Sequence, residues 1–278
     1  MASWNPSNLK AGKLHAWFKA DSVSGSDGDS IASWSDSSGN GNTASQATSS
    51  RQPTLQTNEL NSLPVVRFDG TNDILSDSDI AALDVGTGDI WMAVVFKSTN
   101  DGGVQFVFEK GTTSFALMCT KTGALQCRLG SASNIPIQNS GNWSRTEFVV
   151  VTAFRASSTC NGFVNGAAMD TTGTTNTASI DNSSVFDVGA TAVGGNPMTG
   201  DIAEILVGGA TLRTKERLRI EGYLAEKYGL KANIPTAHVY KVLKPAFGLM
   251  GMHNQKLAGD LDLDLNGNLV ADELAGAL

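Results

Sequence analysis

The chain has 278 residues, 41% of them hydrophobic and 17% charged, with 30 glycines and a formal net charge of −7. That length and apolar share suit one large all-β domain plus a small appendage, and few aromatics among many Gly, Ser, Thr and Asn suit short strands joined by turns. Mild acidity without a Lys/Arg run argues against nucleic acid and anionic membranes as partners, and no apolar stretch approaches the roughly 20 residues of a membrane-spanning helix.

The opening Met1-Ala-Ser-Trp-Asn-Pro has neither the basic flank nor the apolar core of a signal peptide, so synthesis and folding in a cytoplasm are expected. Lys13–Ala20 alternates, with Leu14, Ala16 and Phe18 on one face and His15, Trp17 and Lys19 on the other. A polar loop over 21–30 leads to a short strand over Ile31–Trp34, ended by a Ser-Gly-Asn-Gly turn. Asp89–Lys97 is apolar on both faces, as a central strand of a sandwich is. Further strands are expected over Val104–Lys110, Glu147–Arg155, Gly162–Val164, Val185–Ala190 and Asp201–Val207, with Asn165-Gly166 as a hairpin turn. The three cysteines are an odd, sparse set best read as buried free thiols, although a hairpin about Gly123 would set Cys119 and Cys127 opposite each other.

One amphipathic helix is predicted near 215–228. Ile220, Leu224, Ala225 and Tyr228 share an arc, Thr214 is placed as N-cap, and Gly229 is placed just past the C-terminus. Residues 231–259 then change character, with Pro235, Pro245 and the apolar run Phe247–Met252. Phe247, Leu249, Met250 and Met252 are too hydrophobic for a free linker and too few for a core, so they are expected to anchor the chain to another subunit.

Three segments carry a resemblance: WSDSSGNGNTASQ (Trp34–Gln46), PVVRFDGTNDIL (Pro64–Leu75) and GDIAEILVGGATLRTKERLRIEGYLAEKYGL (Gly200–Leu230). In this order they resemble the concanavalin A-like lectin and laminin-G superfamily over roughly residues 12–230. The resemblance implies a two-sheet antiparallel jelly-roll β-sandwich that holds glycans or protein partners. The expected organisation is an N-terminal arm over 1–11, the sandwich over 12–230, a linker and anchor over 231–259, and a C-terminal extension over 260–278.

That extension carries the sharpest local motif. Asp262, Asp264, Asn266 and Glu273 occupy positions 1, 3, 5 and 12 of a twelve-residue EF-hand loop, Gly267 permits the bend, and Asn268 supplies its carbonyl. Calcium takes six to eight hard oxygens, and this pattern offers them. The same residues also fit an acidic Asn-Gly turn, or a strand with Asp260, Asp262 and Asp264 on one face. Asp69, Asn72 and Asp73 form a second calcium candidate, because proteins of the resembled superfamily often hold a structural ion at such a turn. Asx residues equally cap a turn through its own backbone.

No catalytic set is apparent. Some relatives in that superfamily are glycosidases with an E-x-D-x-x-E strand, which this chain lacks. Asp201 and Glu204 lie three apart on a strand, which predicts opposite faces and no carboxylate pair, with Glu204 bracing the last strand against the Arg67–Asp73 turn. The histidines His15, His238 and His253 lack metal or nucleophile spacing. His15 and Trp17 suit core packing better than the floor of a sugar site. No enzyme is expected.

The main functional expectation is therefore a structural or adhesion component of a virion, a capsid decoration or fibre made without secretion. The alternative is a glycan-binding lectin module of a secreted bacterial protein, extracellular in place. Either partner is a glycan or protein surface, with no nucleic acid and no membrane insertion.

Overall fold

The period-2 runs become strands in the computed structural model, which describes residues 4–99, 103–111, 114–120, 123–130, 137–139 and 143–241. In chain order the strands begin with β1 (Ala16–Lys19), β2 (Ser33–Ser35), β3 (Thr43–Ser45), β4 (Thr54–Leu60), β5 (Leu63–Asp69) and β6 (Leu75–Asp77). They continue with β7 (Ile90–Ser98), β8 (Gln105–Lys110), β9 (Phe115–Cys119), β10 (Leu125–Leu129), β11 (Ile137–Asn139) and β12 (Val149–Ala156). β13 (Thr159–Val164), β14 (Ala167–Ala168), β15 (Thr174–Thr175), β16 (Phe186–Val188) and β17 (Thr199–Gly209) complete the set, followed by helix α1 (Thr214–Lys227).

Two antiparallel sheets result, as the turn spacing predicts. The first runs β14-β13-β12-β7-β17-β5-β4, with β1 beside the far half of β17 and β15 against β13. The second runs β11-β10-β9-β8-β16-β6-β3-β2. Phe18, Trp34, Phe68, Phe96, Phe108 and Phe186 fill the space between them, and Phe186 stacks on Phe18 and Phe108 at ring separations of 6.1 and 5.2 Å.

The doubly apolar β7 has a direct cause. Ile90, Met92, Val94 and Phe96 face the second sheet, whereas Trp91, Ala93 and Val95 face the outer layer, where Ile220, Leu224, Ala225 and Tyr228 of α1 cover them. A strand covered on both sides cannot carry polar alternation. The helix opens one residue earlier than expected. Arg213 is its N-cap rather than Thr214, and the Glu216 carboxylate reaches back to accept the Arg213 N–H at 2.9 Å, the return half of a capping box. Gly229 follows the helix at φ +69°, as placed.

Both flanks of the sandwich touch α1. Trp4 is buried edge-on against Tyr223 at 6.2 Å. Beyond the helix, Ile234, His238 and Tyr240 are buried, and Lys241 donates to the carbonyls of Lys231, Ala232 and Ile234 at 2.7–2.8 Å. The three cysteines are buried and free; Cys119 pairs with Leu125 and Cys127 with Leu117, so the two thiols are not cross-strand partners.

Candidate functional site

α1 covers only part of the outer face of the first sheet. At the uncovered end, β4, β5, β17 and β7 lie side by side, and their register sets Thr54 opposite Arg67, Arg67 opposite Asp201, and Asp201 opposite Lys97. The next row places Asp69 opposite Thr199, and Thr99 donates its N–H to the Thr199 carbonyl at 2.8 Å. With Gln52 and Asp73 these residues line a cleft of about 530 Å³. Cross-strand neighbours on one face lie close enough for side chains to pair, and here the row alternates cation, anion, cation.

Asp201 is buried and takes both cations. Arg67 grips it with Nε at 2.6 Å and Nη2 at 2.9 Å, and Lys97 Nζ approaches at 2.9 Å. Arg67 also reaches Gln56 Oε1 and Glu59 Oε1, each at 3.2 Å, and the hydrogen bond to Asp201 holds its guanidinium pKa above the ordinary value. Lys97 lies over the Phe148 ring, 4.7 Å from its centroid.

One wall of the cleft is the turn after β5. Asp69 Oδ1 accepts the N–H groups of Thr71 and Asn72 at 2.7 and 3.4 Å, and Asp73 Oδ2 accepts the Asp69 N–H at 2.9 Å. Gly70 sits at φ +78°, and a Cβ there would lie 1.8 Å from Thr199 Oγ1, so only glycine lets the turn close onto β17. Burial pushes the Asp73 carboxyl up to about 6; the Asp69 N–H opposes that shift, and the Asp69 charge adds to it.

The structure thus brings Asp69 and Asp73 together, while the Asn72 carbonyl accepts from Arg51 Nε at 3.5 Å. Both carboxylates accept main-chain N–H groups of their own turn, as Asx caps do. Among the described residues no group of three or more His, Cys, Asp or Glu side chains gathers as a metal site. Asp262, Asp264, Asn266, Asn268 and Glu273, and the anchor residues Phe247, Leu249, Met250 and Met252, lie outside the described residues.

The face assignment of Asp201 and Glu204 is corrected. The register on β7 slips between Ile202, opposite Phe96, and Glu204, opposite Val95. This bulge adds a residue to β17 and turns Glu204 to the same outer face as Asp201. Nor does Glu204 brace the Arg67–Asp73 turn, which Asp201 does. Glu204 accepts from Trp17 Nε1 at 2.5 Å, Lys227 Nζ at 2.7 Å and the Tyr228 hydroxyl at 2.7 Å. Trp17 is buried, as the packing reading of that residue holds.

A second polar pair escaped sequence reasoning altogether. On the outer face of the second sheet Glu109 of β8 stands opposite Asp187 of β16. Both are buried, and burial raises both carboxyl pKa values. Ser76 Oγ donates to Asp187 at 2.5 Å and the Ala192 N–H to Glu109 Oε1 at 3.0 Å, while Glu109 Oε2 has no hydrogen-bond partner among the described residues. Only strand pairing reveals this pair. The one signal in sequence was an acid inside each of two apolar strands.

No family model and no curated protein matches the chain. The fold does match solved structures. Trypanosoma rangeli sialidase in complex with sialic acid aligns at a TM-score of 0.52 and 15% identity, over 78% of this chain and 33% of that one. The binding domain of Paraclostridial Mosquitocidal Protein 1 aligns at 0.55 and 13% identity, over 74% and 51%. The CBM40 of Ruminococcus gnavus IT-sialidase, bound to α2,3 sialyllactose, aligns at 0.44 and 15% identity, over 55% and 92%; at that score it carries no argument. The chain therefore spans a third of the sialidase and half of the Paraclostridial structure. What the sialidase and the Paraclostridial binding domain share with it is a two-sheet β-sandwich. The expectation that no enzyme is involved is corrected by the same matches, because this sandwich occurs within sialidase chains.

Proposed function

We propose that the chain is a glycan-binding module and that the cleft at the open end of the first sheet is its sugar site. The observation that carries this reading is the registered row Thr54, Arg67, Asp201, Lys97 beside Asp69 and Thr199 in a 530 Å³ cleft. Sugars present closely spaced hydroxyls that both donate and accept, and they need a rigid surface offering both senses of hydrogen bond. Side chains fixed on four paired strands supply that surface with little ordering cost. The fold shared with a sialidase that holds sialic acid and with a structure described as a binding domain supports the reading without naming the sugar.

A glycan array probed with the intact chain tests this. Thr54→Trp should fill the cleft and abolish the signals, and Thr43→Trp, on the exposed second sheet, should leave them unchanged. Equal binding by both variants would remove the cleft from the function.

The virion role and its anchor at Phe247, Leu249, Met250 and Met252 rest on sequence alone, and the sandwich matches favour the glycan-binding alternative. Calcium binding at Asp262, Asp264, Asn266, Asn268 and Glu273 is likewise a proposal from the ligand pattern. It predicts a calcium heat on titration, with a Kd on the order of 10⁻⁴–10⁻³ M as in extracellular modules. Glu273→Ala should abolish that heat; an identical heat in the variant removes the site.

A further inference from the structure

The charges of the cleft say more than its shape, and the inference drawn from them rests on the cleft being the sugar site. The geometry points to a neutral glycan, one without carboxylate or sulfate groups, as its ligand. Three observations carry this.

The cleft's two cations are committed. Arg67 presents its Nε and Nη2 edge to Asp201 at 2.6 and 2.9 Å and turns to Gln56 and Glu59 with the rest of its fork. Bidentate capture of a sugar carboxylate uses either the Nε/Nη2 or the Nη1/Nη2 edge, and Nη2, common to both, is held by Asp201 and Glu59 while Nη1 is held by Gln56. Lys97 contacts the same Asp201 at 2.9 Å.

The lining charge is not positive. Arg67 and Lys97 stand against Asp201, Asp69 and Asp73, with Glu59 also on Arg67. Even with Asp73 protonated the cleft is no better than balanced, so an acidic sugar would enter without a compensating cation and would lose water doing so.

The remaining polar capacity suits hydroxyls. Asp69 is exposed at the mouth, and its Oδ1 is occupied by the turn amides. A carboxylate has a second oxygen to offer, and Oδ2 is the atom placed to accept from sugar hydroxyl groups. Thr54 closes the charged row and Thr199 stands on the next one, each carrying a hydroxyl.

The test measures the intact chain against paired glycans that differ only by a terminal sialic acid, at fixed ionic strength. Wild type should prefer the neutral member by about tenfold or more, equivalent to about 1.4 kcal/mol. Asp201→Asn frees both cations and should raise affinity for the sialylated member by about tenfold, so that the preference shrinks or reverses. Asp69→Asn keeps the oxygen that caps the turn while removing the charge at the mouth, and should shift the same ratio several-fold in the same direction. It serves as the deciding variant should Asp201→Asn fail to fold. Preference of wild type for the sialylated glycan, or a ratio unmoved by Asp69→Asn, overturns the neutral-ligand inference while the glycan reading stands. Binding of neither class overturns both.

Discussion

Asp201 and Glu204 are two carboxylates on one strand, turned to one face by a bulge, and they meet opposite circumstances. Glu204 lies under α1 with no exposure and three donors, the Trp17 indole, the Lys227 ammonium and the Tyr228 hydroxyl. Asp201 is also buried, but its partners Arg67 and Lys97 reach solvent at the end of the sheet that α1 leaves open. The difference is one of cover. Where a helix lies over the sheet, a charge needs its full complement of partners and serves the fold; where nothing lies over it, the charges still pair with one another, but the polar groups beside them stay open to a ligand. The tyrosines register the covered side: burial first, and then the Glu204 charge, raise the pKa values of Tyr223 and Tyr228.

The comparison is broken most severely on the covered side. Glu204→Ala strands the Trp17 indole N–H and leaves the Tyr228 hydroxyl only the Ala203 carbonyl and Lys227 only Asp21, and removing one partner of a buried charged network costs about 3–5 kcal/mol. Chemical denaturation should show that loss, with glycan binding at the open end retained wherever the protein is folded. A loss below about 1 kcal/mol would mean that water replaces the carboxylate and that the cover is looser than described.

Next in size is a pH effect in the cleft wall. Asp73 keeps its proton in the folded chain up to about pH 6, whereas in the unfolded chain it loses it near its ordinary value of 3.8. The folded state therefore holds the proton more tightly. Stability should fall, by an amount on the order of 3 kcal/mol, as pH rises from about 4 to about 6 and be flat above. Asp73→Asn retains an acceptor for the Asp69 N–H and should remove this part of the slope. Glu109 and Asp187 contribute with the same sign, so the difference between wild type and variant isolates Asp73. A slope identical in Asp73→Asn would place the proton elsewhere.

Asp201→Asn should cost less stability than Glu204→Ala, about 1 kcal/mol, because Arg67 and Lys97 can turn toward water once released. Its larger effect is on ligand charge preference. Equal destabilisation by the two substitutions would erase the distinction between covered and open ends.

Much of the fold was legible because periodicity is local. The double apolar character of Ile90–Phe96 announced a strand covered on both sides, and Ile220, Leu224 and Tyr228 announced the helix that covers it. The Asx turn from Asp69 to Asp73 was equally readable, since each cap bond spans only a few residues. The cleft was not, because it exists only through register. Arg67, Asp201 and Lys97 come from three distant strands, and nothing in Ile202-Ala203-Glu204 marks a bulge, having neither Gly nor Pro. Arg155 is a similar case. It closes a predicted strand, yet it is buried and donates to the carbonyls of Gly86, Gly88, Leu129 and Ala178, which only the assembled loops bring to it.

The smallest expected effect is at the rim, and it separates the two contacts that hold Arg67. Glu59 meets Arg67 at 3.2 Å with both side chains about a third exposed, a pair that water screens and rotamer entropy opposes. Asp201 meets the same guanidinium from a buried position at 2.6 Å in a two-point contact. Glu59→Ala should therefore change stability by under about 0.5 kcal/mol, and should leave the ratio of neutral to sialylated glycan binding within about twofold of wild type. The same substitution made in Asp201→Asn should do more, because Glu59 is then the remaining carboxylate on a guanidinium that has lost its main partner. A double-mutant cycle over the two positions measures this directly. Coupling near zero would mean that Arg67 leaves Glu59 as well once Asp201 is neutralised, and that the guanidinium moves as a free group at the mouth of the cleft.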